Sequence, residues 1–285
     1  MVKNKDTFPL EKMAQVLDVA RSSYYLPQKP SKRCLQNQLI LEKAREVYHK
    51  SRGTYGSPRI HASLNRLGIQ CSRPRVARLM KKVNLQAKMV KAWKKTTQKN
   101  LEHIAEPNHL SQQFDVTEPN KVWVSDITYV PTEEGWLYVS VSLDLFSRKV
   151  VGLSMGSSLE TPLVVKTLDQ AFTHRKPSKG LMHHSDRGCQ YTSKYFKDFM
   201  KEHDVKLSMS HGGCCYDNAV AESFFHTLKT EHVDFFKYRT REEAINSIFE
   251  YIEVFYNKLR LHSTLGYYSP VEYEKLWDIK HCSGF

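Results

Sequence analysis

The sequence predicts an α/β layered domain behind an all-α region. Two observations predict the layers. From Lys121 onward, apolar residues alternate with polar ones over three successive runs. After them, short apolar runs alternate with helical patterns. That order is the signature of a mixed sheet flanked by helices. A third observation separates the two regions. Residues 1–100 hold 23 Lys and Arg against 5 Asp and Glu, a net of +18, whereas residues 101–285 hold 20 against 25, a net of −5. The whole chain carries +13. A first third this basic fits binding to a phosphate backbone, and the mildly acidic remainder fits a core that recruits cations.

The helical region comes first. Glu11–Leu26 reads as two short helices, with Met13, Val16 and Leu17 on one apolar face and Asp18-Val19 as the turn. A helix-turn-helix and a plain helical hairpin fit it equally. Pro27, Pro30 and Ser31-Lys32-Arg33 form a linker. Leu39, Ile40, Ala44, Val47 and Tyr48 then give Leu35–Ser51 a helical stripe. Ser57 suits an N-cap and Pro58 a first turn, opening a helix Arg59–Leu67 that closes at Gly68. From Ser72 a further helix places Val76, Leu79, Met80 and Val83 on one face and Arg73, Arg75, Arg78, Lys81 and Lys82 on the other. Helix, glycine turn and basic amphipathic helix read as a helix-turn-helix with a recognition helix. A merely solvated cationic face is the competing account. Lys88–Lys99, around Trp93, reads as a basic extended linker that tracks a DNA backbone.

The layered region follows. Val122–Val130, Trp136–Leu145 and Arg148–Met155 form a meander, with turns at 131–135 and 146–147. Then come helix Thr161–Phe172, strand Leu181–Ser185, helix Ser193–His203 and strand Val205–Met209. A Gly-rich loop, 210–216, precedes a helix over Ala219–Lys229. Arg241–Tyr256 is amphipathic, with Ala244, Ile248, Tyr251, Ile252 and Phe255 inward. Asn257, Arg260 and His262 either touch DNA or cap the core. The expected divisions are a helical segment 1–34, a helix-turn-helix region 35–87, a basic linker 88–117 and a catalytic core 118–280.

Composition excludes several classes. Hydrophobic content of 40% supports a packed core, and no run of 18 apolar residues exists, so no membrane span is expected. The charged start has no apolar segment behind it, so no signal peptide is expected. Six cysteines show no Cys-x-x-Cys spacing and read as reduced thiols of a cytoplasmic, nucleoid-associated protein.

Three acidic residues stand out. Asp126 lies in an alternating run, Trp-Val-Ser-Asp-Ile-Thr-Tyr (123–129). Asp186 follows a short strand in His-His-Ser-Asp-Arg-Gly (183–188). Glu222 sits on a helix in Asp-Asn-Ala-Val-Ala-Glu-Ser-Phe-Phe (217–225). Two strand-end carboxylates and one helical carboxylate suit a hard divalent cation such as Mg²⁺. Two such ions about 3.5–4 Å apart clamp the attacking and leaving oxygens of an in-line phosphoryl displacement. Spacing alone does not carry this, because the chain has 30 acidic residues to choose from. Asp144, the main rival, is expected to bond Ser147 or Arg148 in its turn, and Asp217 to cap the helix of Glu222. His184 is expected to pack near Asp186 or orient it.

The motifs add what spacing lacks. With 35 residues between Asp186 and Glu222, and Lys229 seven positions after the glutamate, the chain resembles the DDE transposase and retroviral integrase superfamily. It is most similar to the second-frame transposases of the insertion sequence 3 family, from about Tyr24 to Tyr273. Tyr-Gly-Ser-Pro-Arg-Ile-His (55–61), Arg-Val-Ala-Arg-Leu-Met-Lys (75–81) and the stretch Tyr256–Pro270 carry the resemblance as well. It implies a ribonuclease H-like core, with Asp126, Asp186 and Glu222 as catalytic metal ligands for Mg²⁺, two ions, with Mn²⁺ as a substitute. It implies Lys229 on phosphate, and cleavage of element ends in double-stranded DNA followed by joining to a target. It also implies a homo-oligomeric active complex and a partner encoded by an upstream reading frame, since this chain has no heptad zipper of its own. Relatives usually carry a basic pair near the start of the 210–216 loop, where this chain has His211-Gly212-Gly213-Cys214-Cys215. A non-catalytic DNA-binding regulator and a metal-dependent nuclease without joining are the alternatives.

Overall fold

The computed structural model describes residues 1, 4–25, 30–88, 106–211 and 215–282. Residues 1–50 with 60–86 form one compact unit, and residues 51–59 with 87–285 a second.

The first unit is helical. It contains α1 (Leu10–Val16), a 3-10 turn (Arg21–Tyr25), α2 (Lys32–Lys50), most of α3 (Ser57–Arg66) and α4 (Arg73–Lys82). Ile40 and Ala44 on α2, Ile60 and Leu64 on α3, and Val76, Leu79 and Met80 on α4 are buried. Gly68 ends α3 in the left-handed conformation (φ +78°), and Ile69 N closes the turn on Leu64 O at 3.0 Å. The face expected on the N-terminal pair does not pack. A seven-residue helix buries only Ala14 and leaves Val16 and Leu17 85% and 55% exposed.

The second unit is built on a five-stranded sheet. The expected meander is β1 (Val122–Thr132), β2 (Gly135–Asp144) and β3 (Val150–Gly156), all antiparallel. β4 (Met182–Ser185) and β5 (Lys206–Met209) add in parallel on the other side of β1, giving the order β3-β2-β1-β4-β5. Alternation along β1 puts Trp123 and Ile127 on one face. There they pack with Val164 and Leu168 of α5 (Thr161–Arg175) and Phe196 and Met200 of α7 (Lys194–Glu202). β3 passes α5 so closely that a Cβ on Gly152 would lie 2.2 Å from the carbonyl oxygen of Thr167. The helix expected over 193–203 is α7, capped at Ser193, whose Oγ accepts from Phe196 N at 3.2 Å. A short helix, α6 (Cys189–Thr192), precedes it.

Later in the chain come α8 (Ala219–Glu231), α9 (Arg241–Glu250) and α10 (Pro270–Cys282). The helix expected to run to Tyr256 changes to a π-helical turn over Tyr251–Tyr256, which buries Tyr251, Ile252, Phe255 and Tyr256.

Three polar expectations change. Asp144 meets Arg148 in the turn through its backbone, the carbonyl accepting from Arg148 N at 2.8 Å, but not through its side chain. Its carboxylate accepts from Phe146 N (2.9 Å), Asn120 N (2.7 Å) and Arg175 (3.3 Å), while Ser147 Oγ donates to Glu274. Asp217 does not cap α8 but accepts from His211 N, Asn108 and Gln112, closing a loop instead. Of the basic linker, Lys88 packs on the core unit: its ammonium sits 4.3 Å from the Phe235 ring centre and 3.4 Å from Glu231 O. The rest of that linker, and Gly212-Gly213-Cys214, lie outside the described residues. Among the described residues no helix is long and apolar enough to cross a membrane, and Cys34, Cys71 and Cys189 are free thiols.

Candidate active site

Asp126 lies on β1, and Asp186 directly follows β4. The two strands are parallel neighbours, pairing Val122 with Met182, Trp123 with His183 and Val124 with His184. Two positions further along each stand Asp126 and Asp186, at the C-terminal end of the parallel pair. Open α/β sheets take their ligands at that end. Local bonds orient both side chains. Ile127 N donates to Oδ1 of Asp126 at 2.8 Å, and Gly188 N donates to Oδ1 of Asp186 at 2.9 Å in an Asx turn. A Cβ on Gly188 would sit 3.0 Å from that same oxygen, so a side chain there would push the turn open.

Glu222 comes to this end on α8. Asn218, immediately before that helix, is buried and donates from Nδ2 to the carbonyl of Ser125 at 3.2 Å. Glu222 stands one helical turn further on and is exposed. Lys229, seven residues later, holds its Nζ 5.1 Å from the centre of the Tyr129 ring.

The surroundings of the two aspartates suit a cation. Burial, then the charges of Asp126 and Asp186, raise the Tyr191 phenol well above its usual range, so both carboxylates act on one buried spot. The Tyr191 hydroxyl and Asn218 Oδ1 are buried polar atoms without a hydrogen-bond partner. The neighbouring histidines add no positive charge. Burial, with His184 beside it, lowers His183 to about 3, and burial lowers His184 to about 4. His183 Nε2 lies 2.8 Å from Ser125 Oγ, and the His184 ring lies between Ser208 and Ser210. Carboxylate oxygens in a negative field are the donors that Mg²⁺ takes. Among the described residues no three His, Cys, Asp or Glu side chains are drawn together as a metal-binding group. The elements therefore bring Asp126, Asp186 and Glu222 to one region without closing them around a centre.

The expected DNA-contacting residues separate into two kinds. Arg73, Arg78, Lys81 and Lys82 are exposed on α4. Arg75 is half-buried and donates to Asn37 at 2.9 Å and Gln36 at 3.4 Å, tying α4 to α2. Arg260 lies inside the core, 5% exposed, and donates twice to Glu231 at 2.7 Å. Asn257 bonds both the N–H and the carbonyl of Val150, and His262 is buried, so this trio caps the core.

Sequence reasoning missed Asn218, Tyr191 and Glu231. Asn218 carried a usable signal, being four positions before Glu222 and thus on its helical face. Tyr191 and Glu231 carried none, because their importance lies in burial and in partners far along the chain.

Comparison with known proteins agrees with this architecture. Residues 35–93 match the HTH-like domain family, and residues 116–215 and 222–276 match integrase core domain families. The chain is 40% identical over 265 residues to an uncharacterised 31 kDa protein of insertion element IS600 from Shigella sonnei, covering 92% of this chain and 97% of that one. It is 41% identical over 247 residues to the transposase of insertion sequence element IS904 from Lactococcus lactis, covering 87% and 98%. It is 36% identical over 276 residues to transposase InsF of insertion sequence IS3A from Escherichia coli, covering 95% and 96%. Similarity of this depth over nearly the full length of each relative means that the chain belongs to the insertion-sequence transposases with an integrase core domain.

Proposed function

We propose that this transposase cuts DNA at the ends of its element and joins the freed 3′-hydroxyl to target DNA at a carboxylate metal site made by Asp126, Asp186 and Glu222. One observation carries the proposal. The β1–β4 register sets two aspartates side by side at the ligand-binding end of the sheet, and Asn218 ties the start of the Glu222 helix to the residue before Asp126. Bound Mg²⁺, or Mn²⁺ in its place, would activate the attacking oxygen and neutralise charge on the scissile phosphate, with two ions the usual number for such displacements.

The chain's own residues do the rest. Asp126 and Asp186 are held by short backbone bonds, which lowers the entropy of arranging them. Glu222 is exposed, on a helix anchored at its first turn, so it can close on the pair when substrate arrives. Lys229 offers a cation on the same helix for the phosphate backbone. Arg73, Arg78, Lys81 and Lys82 present an exposed basic face to double-stranded DNA. Replacing Lys81 and Lys82 by alanine is expected to lower the salt slope of binding by about 2. Two DNA ends must be held together, so the working complex is a homo-oligomer, and an upstream-frame product is its further partner.

Purified protein, Mg²⁺ and a labelled duplex of the element's end test the proposal, beside Asp186→Asn and Glu222→Gln. Cleaved and joined products from the wild type alone support it. Activity retained in both variants refutes the carboxylate assignment. Cleavage without joining favours a nuclease, and end binding without cleavage favours a regulator.

A further inference from the structure

β1 runs on past its parallel partner. Its last residue paired with β4 is Val124, whereas its pairing with β2 continues to Thr132 opposite Gly135. Beyond the two aspartates the sheet keeps β1, β2 and β3 as far as Tyr129, Tyr138 and Gly156, and then narrows to a two-stranded β1–β2 arm. Tyr129, at the base of that arm, and Trp136, on it, are 36% and 50% exposed and meet edge to face, with ring centres 4.9 Å apart. Lys229 comes over Tyr129 from α8. Beside the arm, the segment around Tyr238 bridges to Thr132 and carries exposed Lys237 and Arg239. Arg241 donates to the carbonyls of Trp136 and Glu134, and Glu134 in turn accepts from Arg241 N.

Single exposed aromatics on a surface need no explanation. Here two are in mutual contact, a cation stands over one of them, and they lie on β1, the strand that carries Asp126, and on β2, its antiparallel partner. Tyr129 is three positions beyond Asp126, roughly 10 Å along the strand. Lys229 is seven positions beyond Glu222, again roughly 10 Å along the helix. That distance is about three base-pair rises of duplex DNA. Aromatic faces beside basic side chains suit single-stranded nucleic acid, because every base has a face to stack and every nucleotide a phosphate.

We propose that Tyr129 and Trp136, with Lys229 beside Tyr129, form a stacking platform for an unpaired DNA base within about three nucleotides of the phosphate held at Asp126 and Asp186. The inference rests on the transposase reading above and adds to it a requirement that the element's end be splayed before it is cut. Charge complementarity with the strand comes from Lys229, Lys237 and Arg239. Glu133 and Glu134, in the turn between β1 and β2, disfavour a duplex laid flat across the arm and suit a base turned onto the rings.

Two duplexes of the element's end test this, one fully paired and one with its last three pairs mismatched and 2-aminopurine within them. Binding and 2-aminopurine fluorescence are read for the full chain and for the Tyr129→Ala/Trp136→Ala double variant. The expected result is quenching by the wild type, restored fluorescence with the double variant, and about tenfold weaker binding of the mismatched duplex alone. The Tyr129→Phe/Trp136→Phe variant should behave as wild type, and melting temperature controls for folding. Equal quenching and affinity in the double alanine variant overturn the platform and leave the transposase reading intact. Unchanged DNA binding with altered sedimentation of the DNA-free protein also overturns it, assigning the rings to a protein contact. Wild type that binds neither duplex overturns both.

Discussion

Asn218 donates from Nδ2 to the backbone carbonyl of Ser125 at 3.2 Å, joining residues 93 positions apart. The bond ties the first turn of α8 to the strand of Asp126, so the distance between Glu222 and the aspartate pair depends on it. Asn218→Ala is expected to cost about 1 kcal/mol in stability, the net worth of one buried hydrogen bond. Cleavage should fall at least tenfold at a temperature where the variant is fully folded. Unfolding midpoints beside single-turnover rates check both, and an unchanged rate would show that α8 is positioned by its apolar contacts instead.

Glu231, at the other end of α8, anchors the helix inside the core. It accepts twice from Arg260 at 2.7 Å, once from Arg59 at 3.2 Å and once from Tyr251 at 3.0 Å. Burial pushes its carboxyl up, but Arg260 and Arg59 outweigh burial and hold it below the usual value of 4.5. The folded value is the depressed one, so this stabilisation is present above about pH 4.5 and is lost as pH falls through the folded value. Glu231→Gln should cost about 3–5 kcal/mol at pH 7, because it leaves Arg260 charged and buried. Denaturant unfolding at pH 7 measures it, and a loss under 1 kcal/mol would contradict this account.

His232 gives the chain a second acid sensitivity at milder pH. Burial, helped by Arg52, lowers it from 6.5 to about 4. Between those values the unfolded chain takes up a proton that the folded chain refuses, so stability falls as pH drops from about 6.5 toward 4. His183, lowered to about 3, acts in the same direction. His232→Gln should reduce the slope of stability against pH by about one proton in that window. Unfolding midpoints measured at half-unit steps read this, and an unchanged slope would refute the role of His232.

Gly152 tests the packing of β3 on α5. A methyl group at this position would meet the Thr167 carbonyl oxygen at 2.2 Å and Ala171 Cβ at 3.1 Å. The strand and helix would have to separate, so Gly152→Ala should cost about 3 kcal/mol. A melting temperature within one degree of wild type would show that the two elements move apart freely.

The parts legible in the sequence were the local ones. Alternation over 122–130 predicts β1 because period two is written in adjacent residues. The three proposed carboxylates stand out in the sequence because each sits in its own short motif. Partners set by the fold were not legible. Asp144 finds Arg175 and Asn120, Glu231 finds Arg260 and Arg59, and Asp217 finds Asn108, all across long stretches of chain. The π-helical turn after Glu250 was hidden because its apolar spacing continues that of α9. Arg260 looked like a DNA contact because basic residues usually face water, and only its burial against Glu231 shows otherwise.

The central claim is that Asp126 and Asp186 hold a divalent cation together. Calorimetric titration of Mg²⁺ into wild type and into Asp126→Asn and Asp186→Asn, each with melting curves, tests it without reference to activity. The account predicts Mg²⁺-dependent stabilisation of the wild type and at least tenfold weaker binding in either variant. Without metal, both variants should melt no lower than wild type, since each removes one of two neighbouring negative charges. Equal Mg²⁺ binding by all three proteins would contradict it.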